Sequence, residues 1–68
     1  IEDLTQLELL AQKTNNRRLL GVIRRFKCSN QLDEQILALA SIIQSLRKKG
    51  VKYSQHFLQR CLLYILNH

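Results

Sequence analysis

The sequence predicts an all-α protein, a compact four-helix bundle around a long central helix. Two observations carry that expectation. The stretch Gln31 to Lys49, QLDEQILALASIIQSLRKK, contains no Pro or Gly and sets Leu32, Ile36, Leu39, Ala40, Ile43 and Leu46 at helical spacing. Leu37, Ala38 and Ile42 make neighbouring faces apolar too, so this helix needs packing partners on more than one side. The chain also has no Pro and only two glycines, Gly21 and Gly50, too few turn formers for a sheet protein.

The first helix spans Glu2 to Lys13. Leu4, Leu7, Leu10 and Ala11 form its apolar face, and Glu2, Asp3 and Lys13 suit the helix dipole. Thr14, Asn15 and Asn16 are a polar break, any of them suited to capping. The second helix spans Arg17 to Lys27, with Leu19, Leu20, Ile23 and Phe26 inward and Arg17, Arg24 and Arg25 outward. Gly21 in its middle costs about 1 kcal/mol relative to Ala. Close packing against another helix is the plainer explanation, and close approach by a partner's backbone the functional one. Cys28, Ser29 and Asn30 make the next break, with Asn30 as cap of the central helix, Asp33 and Glu34 in its first turn, and Gly50 as its stop. Val51 to Tyr53 connect to a fourth helix, Gln55 to Leu66, capped by Ser54. Phe57, Leu58, Cys61, Leu62, Tyr64 and Ile65 cover most of its surface.

The 68 residues make one domain, residues 1–68. The chain opens on Ile1 rather than Met and is read as an interaction domain excised from a longer protein. Net charge is +6, with 11 Lys and Arg against 5 Asp and Glu. Such a balance favours acidic partners: nucleic acid phosphates, an anionic membrane, or an acidic peptide. The longest late apolar run, Cys61 to Leu66, is six residues, too short to span a bilayer.

Cys28, His56, Cys61 and His68 have the count for zinc but not the spacing, lacking a Cys-x-x-Cys and a His pair one turn apart. No metal or cofactor is expected. The two cysteines are read as free thiols, and a Cys28–Cys61 bridge would go with a secreted, membrane-active bundle. The carboxylates Glu2, Asp3, Glu8, Asp33 and Glu34 are explained by helix starts and outer faces. No nucleophile has a nearby base and orienting acid, so no enzyme is expected.

The basic residues are more informative. Arg47, Lys48, Lys49 and Lys52 gather where a helix C-terminus favours cations. Arg17, Arg18, Arg24, Arg25 and Lys27 do not follow that rule, because Arg17 and Arg18 open their helix, where positive charge is unfavourable.

At Ile23-Arg24-Arg25-Phe26-Lys27-Cys28-Ser29 the chain resembles a segment of the integrase-binding domains. These belong to the family of helical bundles shared with the N-terminal domain of the elongation factor TFIIS. Cys28 stands where that branch has Val, and Gly21 and Val22 stand where it has two lysines. The resemblance implies a right-handed helical bundle that binds acidic, aromatic-bearing segments of disordered transcription factors. It implies a nuclear, intracellular protein of transcription or chromatin regulation. Carried over by position, Phe26 becomes an exposed apolar anchor, Arg24, Arg25 and Lys27 meet acidic groups, and Cys28 lines the rim. Arg17 extends the same basic surface. A physical criterion decides on Phe26: if the second helix reaches Lys27 it continues the Leu19–Ile23 face and is core, and if the helix ends sooner it sits at a loop tip.

The expected function is therefore a non-enzymatic protein-interaction domain for acidic and aromatic linear motifs. The alternatives are a small basic nucleic-acid-binding domain that contacts phosphates, and a homo-oligomerisation domain in which a second copy covers the fourth helix.

Overall fold

A computed structural model describes residues 1–67. Four helices follow in order: α1 (Leu4–Lys13), α2 (Arg17–Cys28), α3 (Leu32–Lys48) and α4 (Gln55–Asn67). Local chemistry sets each boundary. Asp3 caps α1, its Oδ1 accepting from Gln6 N at 3.1 Å, while Gln6 Oε1 accepts from Glu2 N at 2.9 Å. This reciprocal pair satisfies donors that the helix itself leaves open.

The α1–α2 corner is built from two asparagines. Asn15 takes the left-handed conformation, φ 54°, which Asn tolerates better than most residues. Asn15 N then reaches Gln12 O at 3.1 Å and Asn16 N reaches Ala11 O at 2.9 Å, the Schellman pattern. Asn16 also caps α2, its Oδ1 accepting from Leu19 N at 3.2 Å. One residue thus closes one helix and opens the next. Gly50 does the same closing work for α3 at φ +69°, with Gly50 N bonded to Arg47 O and Val51 N to Leu46 O. Ser54 opens α4, its Oγ accepting from Phe57 N at 3.2 Å. The start of α3 departs from expectation. Its N-cap is Gln31 rather than Asn30, and no side chain caps it. Ser29 Oγ instead accepts from Gln31 N and donates to Glu34 Oε2 at 2.8 Å.

The core joins all four helices: Leu7 and Ala11 from α1, Leu19, Ile23 and Phe26 from α2, Ala38, Leu39, Ile42 and Leu46 from α3, and Phe57, Cys61 and Ile65 from α4. Helix α3 packs most extensively on α2, α2 also packs on α1, and α4 packs on α3. The radius of gyration is 11.0 Å, and a compact chain of this length is expected at about 11 Å. The wrapping of α3 is one-sided. Its buried stripe is Gln35, Ala38, Leu39, Ile42 and Leu46, whereas Leu32, Ile36, Leu37 and Ala40 face solvent. Gln35 is the unexpected core member, 1% exposed. Its Nε2 donates to Ser29 O at 2.9 Å, which makes a buried amide tolerable and ties α3 to the end of α2.

Two ties fasten the rest. Ile1 O accepts from both Ser54 N and Ser54 Oγ, holding the first residues against the α3–α4 connector. Tyr64 of α4 stacks on Phe26 with ring centroids 5.1 Å apart, and its hydroxyl donates to Lys27 O at 2.7 Å.

Candidate functional site

Helix α2 ends at Cys28, past the criterion set by Lys27, and Phe26 accordingly continues the Leu19–Ile23 face. It is fully buried. The expectation of Phe26 as an exposed anchor is therefore corrected: the helix runs two residues past it, so it is not on a loop tip, and Tyr64 stacks on it from α4. Lys27 is also engaged within the molecule, its Nζ paired with the Glu8 carboxylate of α1. Cys28 is exposed and free, and Cys61 is buried and free, so there is no bridge between them. Burial pushes the Cys61 thiol up to about 11. Among the described residues no group of His, Cys, Asp and Glu could hold a metal ion, and His68 lies outside them. No helix of the described residues is long and apolar enough to cross a membrane.

The arginines remain, and their arrangement follows from helical spacing. Arg17 and Arg24, seven residues apart, form one exposed row on α2, and Arg18 and Arg25 form a second, parallel row. None of these four makes an ion pair with a described residue; the only such pair there is Lys27–Glu8. The Arg18–Arg25 row borders a groove between α2 and α3 of about 810 Å³. Its walls are Arg18, Val22 and Arg25 on one side and Ser41, Gln44, Ser45, Arg47 and Lys48 on the other. Serines and Val22 leave the groove open, because none of them reaches far from its helix. The two basic clusters, well separated in sequence, thus meet across one cleft.

At its far end the groove changes character. Val22, Arg25 and Ser41 continue into a smaller hollow of about 300 Å³ lined also by Glu34, Leu37 and Ala38. Leu37 is 68% exposed there. The charged lining therefore runs from Arg18, Arg25, Arg47 and Lys48 at one end to Arg25 and Glu34 at the other, where Leu37 and Ala38 adjoin them. Of the residues expected at the site, Arg25 lines this groove, Arg17 and Arg24 lie on the adjoining ridge with Cys28, and Phe26 and Lys27 serve the fold. Arg47, Lys48, Val22 and Leu37 were not foreseen. The spacing Arg18–Val22–Arg25 is visible in the sequence, but its pairing with α3 is not. A second surface is apolar: Leu62, Leu63 and Leu66 of α4 are all more than half exposed.

No family model, curated protein or solved structure matches this chain.

Proposed function

We propose that this chain is a non-enzymatic interaction domain that captures acidic linear segments of disordered partner proteins in the α2–α3 groove. The carrying observation is the change of charge along that groove, from cations alone to Arg25 with Glu34 beside Leu37 and Ala38. Arg18, Arg25, Arg47 and Lys48 supply positive charge that no described acid pairs, and the hollow beside Val22, Leu37 and Ala38 accepts an apolar side chain. A phosphate backbone has use for the first half only, and Glu34 would repel it at the second. An acidic segment carrying a Leu or Phe uses both. The resemblance of Ile23 to Ser29 to the integrase-binding domains supports a role in transcription or chromatin regulation in the nucleus. With Phe26 buried, the apolar contact passes from it to Leu37.

The groove also sets the ligand's layout. From Leu37 to Lys48 is eleven residues of α3, about 16 Å at 1.5 Å per residue. An extended ligand covers that in about five residues at 3.3 Å each. The apolar residue should thus sit about five positions from the acidic cluster. An amide-shift titration with such a peptide, and separately with a short DNA duplex, tests the proposal. Shifts at Arg18, Val22, Arg25, Leu37 and Ser45 with the peptide are expected. Shifts with the duplex alone would reject peptide capture in favour of phosphate binding.

The exposed leucines of α4 favour a second reading, self-association. Sedimentation showing a mass twice 8.0 kDa, lost in Leu66→Glu, would support it.

A further inference from the structure

We infer that the bound segment overhangs the α2 side of the groove, its main chain lying over Gly21 in the gutter between the two arginine rows while its apolar residue and one set of its carboxylates reach over the Arg18–Arg25 row into the groove; this rests on the acidic-segment reading above. A glycine inside a helix weakens it, because the unfolded chain gains freedom and no side chain packs. Such a residue is usually explained by a neighbouring helix that needs the space. Here that explanation fails: a Cβ built on Gly21 meets nothing within 4 Å. Gly21 is exposed and its φ is not positive, so neither packing nor backbone conformation requires it.

The surroundings supply the alternative. The nearest neighbours of a helical residue lie three and four positions away on either side. For Gly21 these are Arg17, Arg18, Arg24 and Arg25, all exposed and none paired with a described acid. A missing side chain ringed by guanidinium groups is a trough with cationic walls. An extended chain points successive side chains to opposite sides. Laid along this trough, it sends one set of carboxylates to Arg17 and Arg24. The other set goes over Arg18 and Arg25 toward the groove. Its backbone then rests where the Cβ is absent. Helix stability is given up at Gly21 for the depth of that contact.

The test separates this inference from the reading beneath it. Peptides are selected on the wild-type chain from a pooled random library of Asp, Glu, Leu and Phe. The best binder is then measured by fluorescence anisotropy against Gly21→Ala and against the double variant Arg18→Gln/Arg25→Gln, with circular dichroism confirming each fold. Gly21→Ala is expected to raise the melting temperature by about 5 °C while weakening binding about tenfold through overpacking at the contact. Unchanged affinity in Gly21→Ala, with binding lost in the double variant, overturns the crossing at Gly21 and leaves acidic-segment capture standing. A lowered melting temperature in Gly21→Ala also overturns it, since Gly21 would then serve the fold. Failure of any acidic peptide to bind the wild type overturns both.

Discussion

Phe26 shows how one residue's role follows from where its helix stops. Its neighbours in sequence are all charged or exposed, yet it is fully buried beneath Tyr64. Phe26→Ala should therefore cost about 3–5 kcal/mol of stability, measured by urea denaturation, rather than selectively remove binding. A selective loss of affinity in a fully stable Phe26→Ala would contradict its assignment to the core. The two cysteines should differ in chemistry for a related reason. Cys61 is buried and its thiol is raised from 9.0 to about 11. Below pH 9 both folded and unfolded chains hold that proton, so the thiol adds no pH dependence. Between 9 and 11 the unfolded chain releases it and the folded chain does not, so stability falls as pH rises. The Cys61 contribution to that fall should disappear in Cys61→Ala, compared by thermal melts across the same range. Iodoacetamide at neutral pH should label Cys28 and spare Cys61 in the native protein.

At the scale of elements, the stops and starts were the legible part. Asn16, Ser54 and Gly50 each carry a side chain or a backbone freedom that a helix end requires, whereas Asp3, read as inside the first helix, caps it, so that α1 starts at Leu4 rather than Glu2. Gly50→Ala should cost about 1–2 kcal/mol, because a Cβ is unfavourable at φ +69°. Asn16→Ala should cost about 1 kcal/mol and loosen the α1–α2 corner. Thermal melts of each variant give both values. The buried face of α3 was not legible in the same way. That helix is apolar over most of its circumference, so periodicity alone offers several stripes, and the choice falls to how α2 and α4 lie against it. Gln35 was invisible as a core residue because its tolerance depends on Ser29 O, a group supplied by the preceding loop.

For the whole molecule the decisive fact is the imbalance of charge. The chain carries +6, and α2 alone holds Arg17, Arg18, Arg24, Arg25 and Lys27 without an acidic residue. Mutual repulsion on that surface opposes folding and attracts acidic partners at once. Added salt should therefore act in opposite directions. Raising NaCl from about 0.01 to 0.15 M shortens the screening length from about 30 to 8 Å. The melting temperature should rise, and affinity for an acidic peptide should fall. A complex insensitive to salt would locate recognition elsewhere, with the α4 leucines as the first place to look. The charge itself is plain from composition. The groove is not, because Arg18 and Lys48 belong to separate helices and only the packing of α2 on α3 brings them to one cleft.

The Tyr64–Phe26 stack has a practical side. The chain has no Trp and two Tyr, and Tyr64 sits against the last turn of α2 with its hydroxyl on Lys27 O. Any ligand that shifts that turn changes the surroundings of a native chromophore. Near-ultraviolet emission of the unlabelled protein should then report docking optically, with Tyr64→Phe as the dark control and Tyr53, tilted against Phe57, as the steady background.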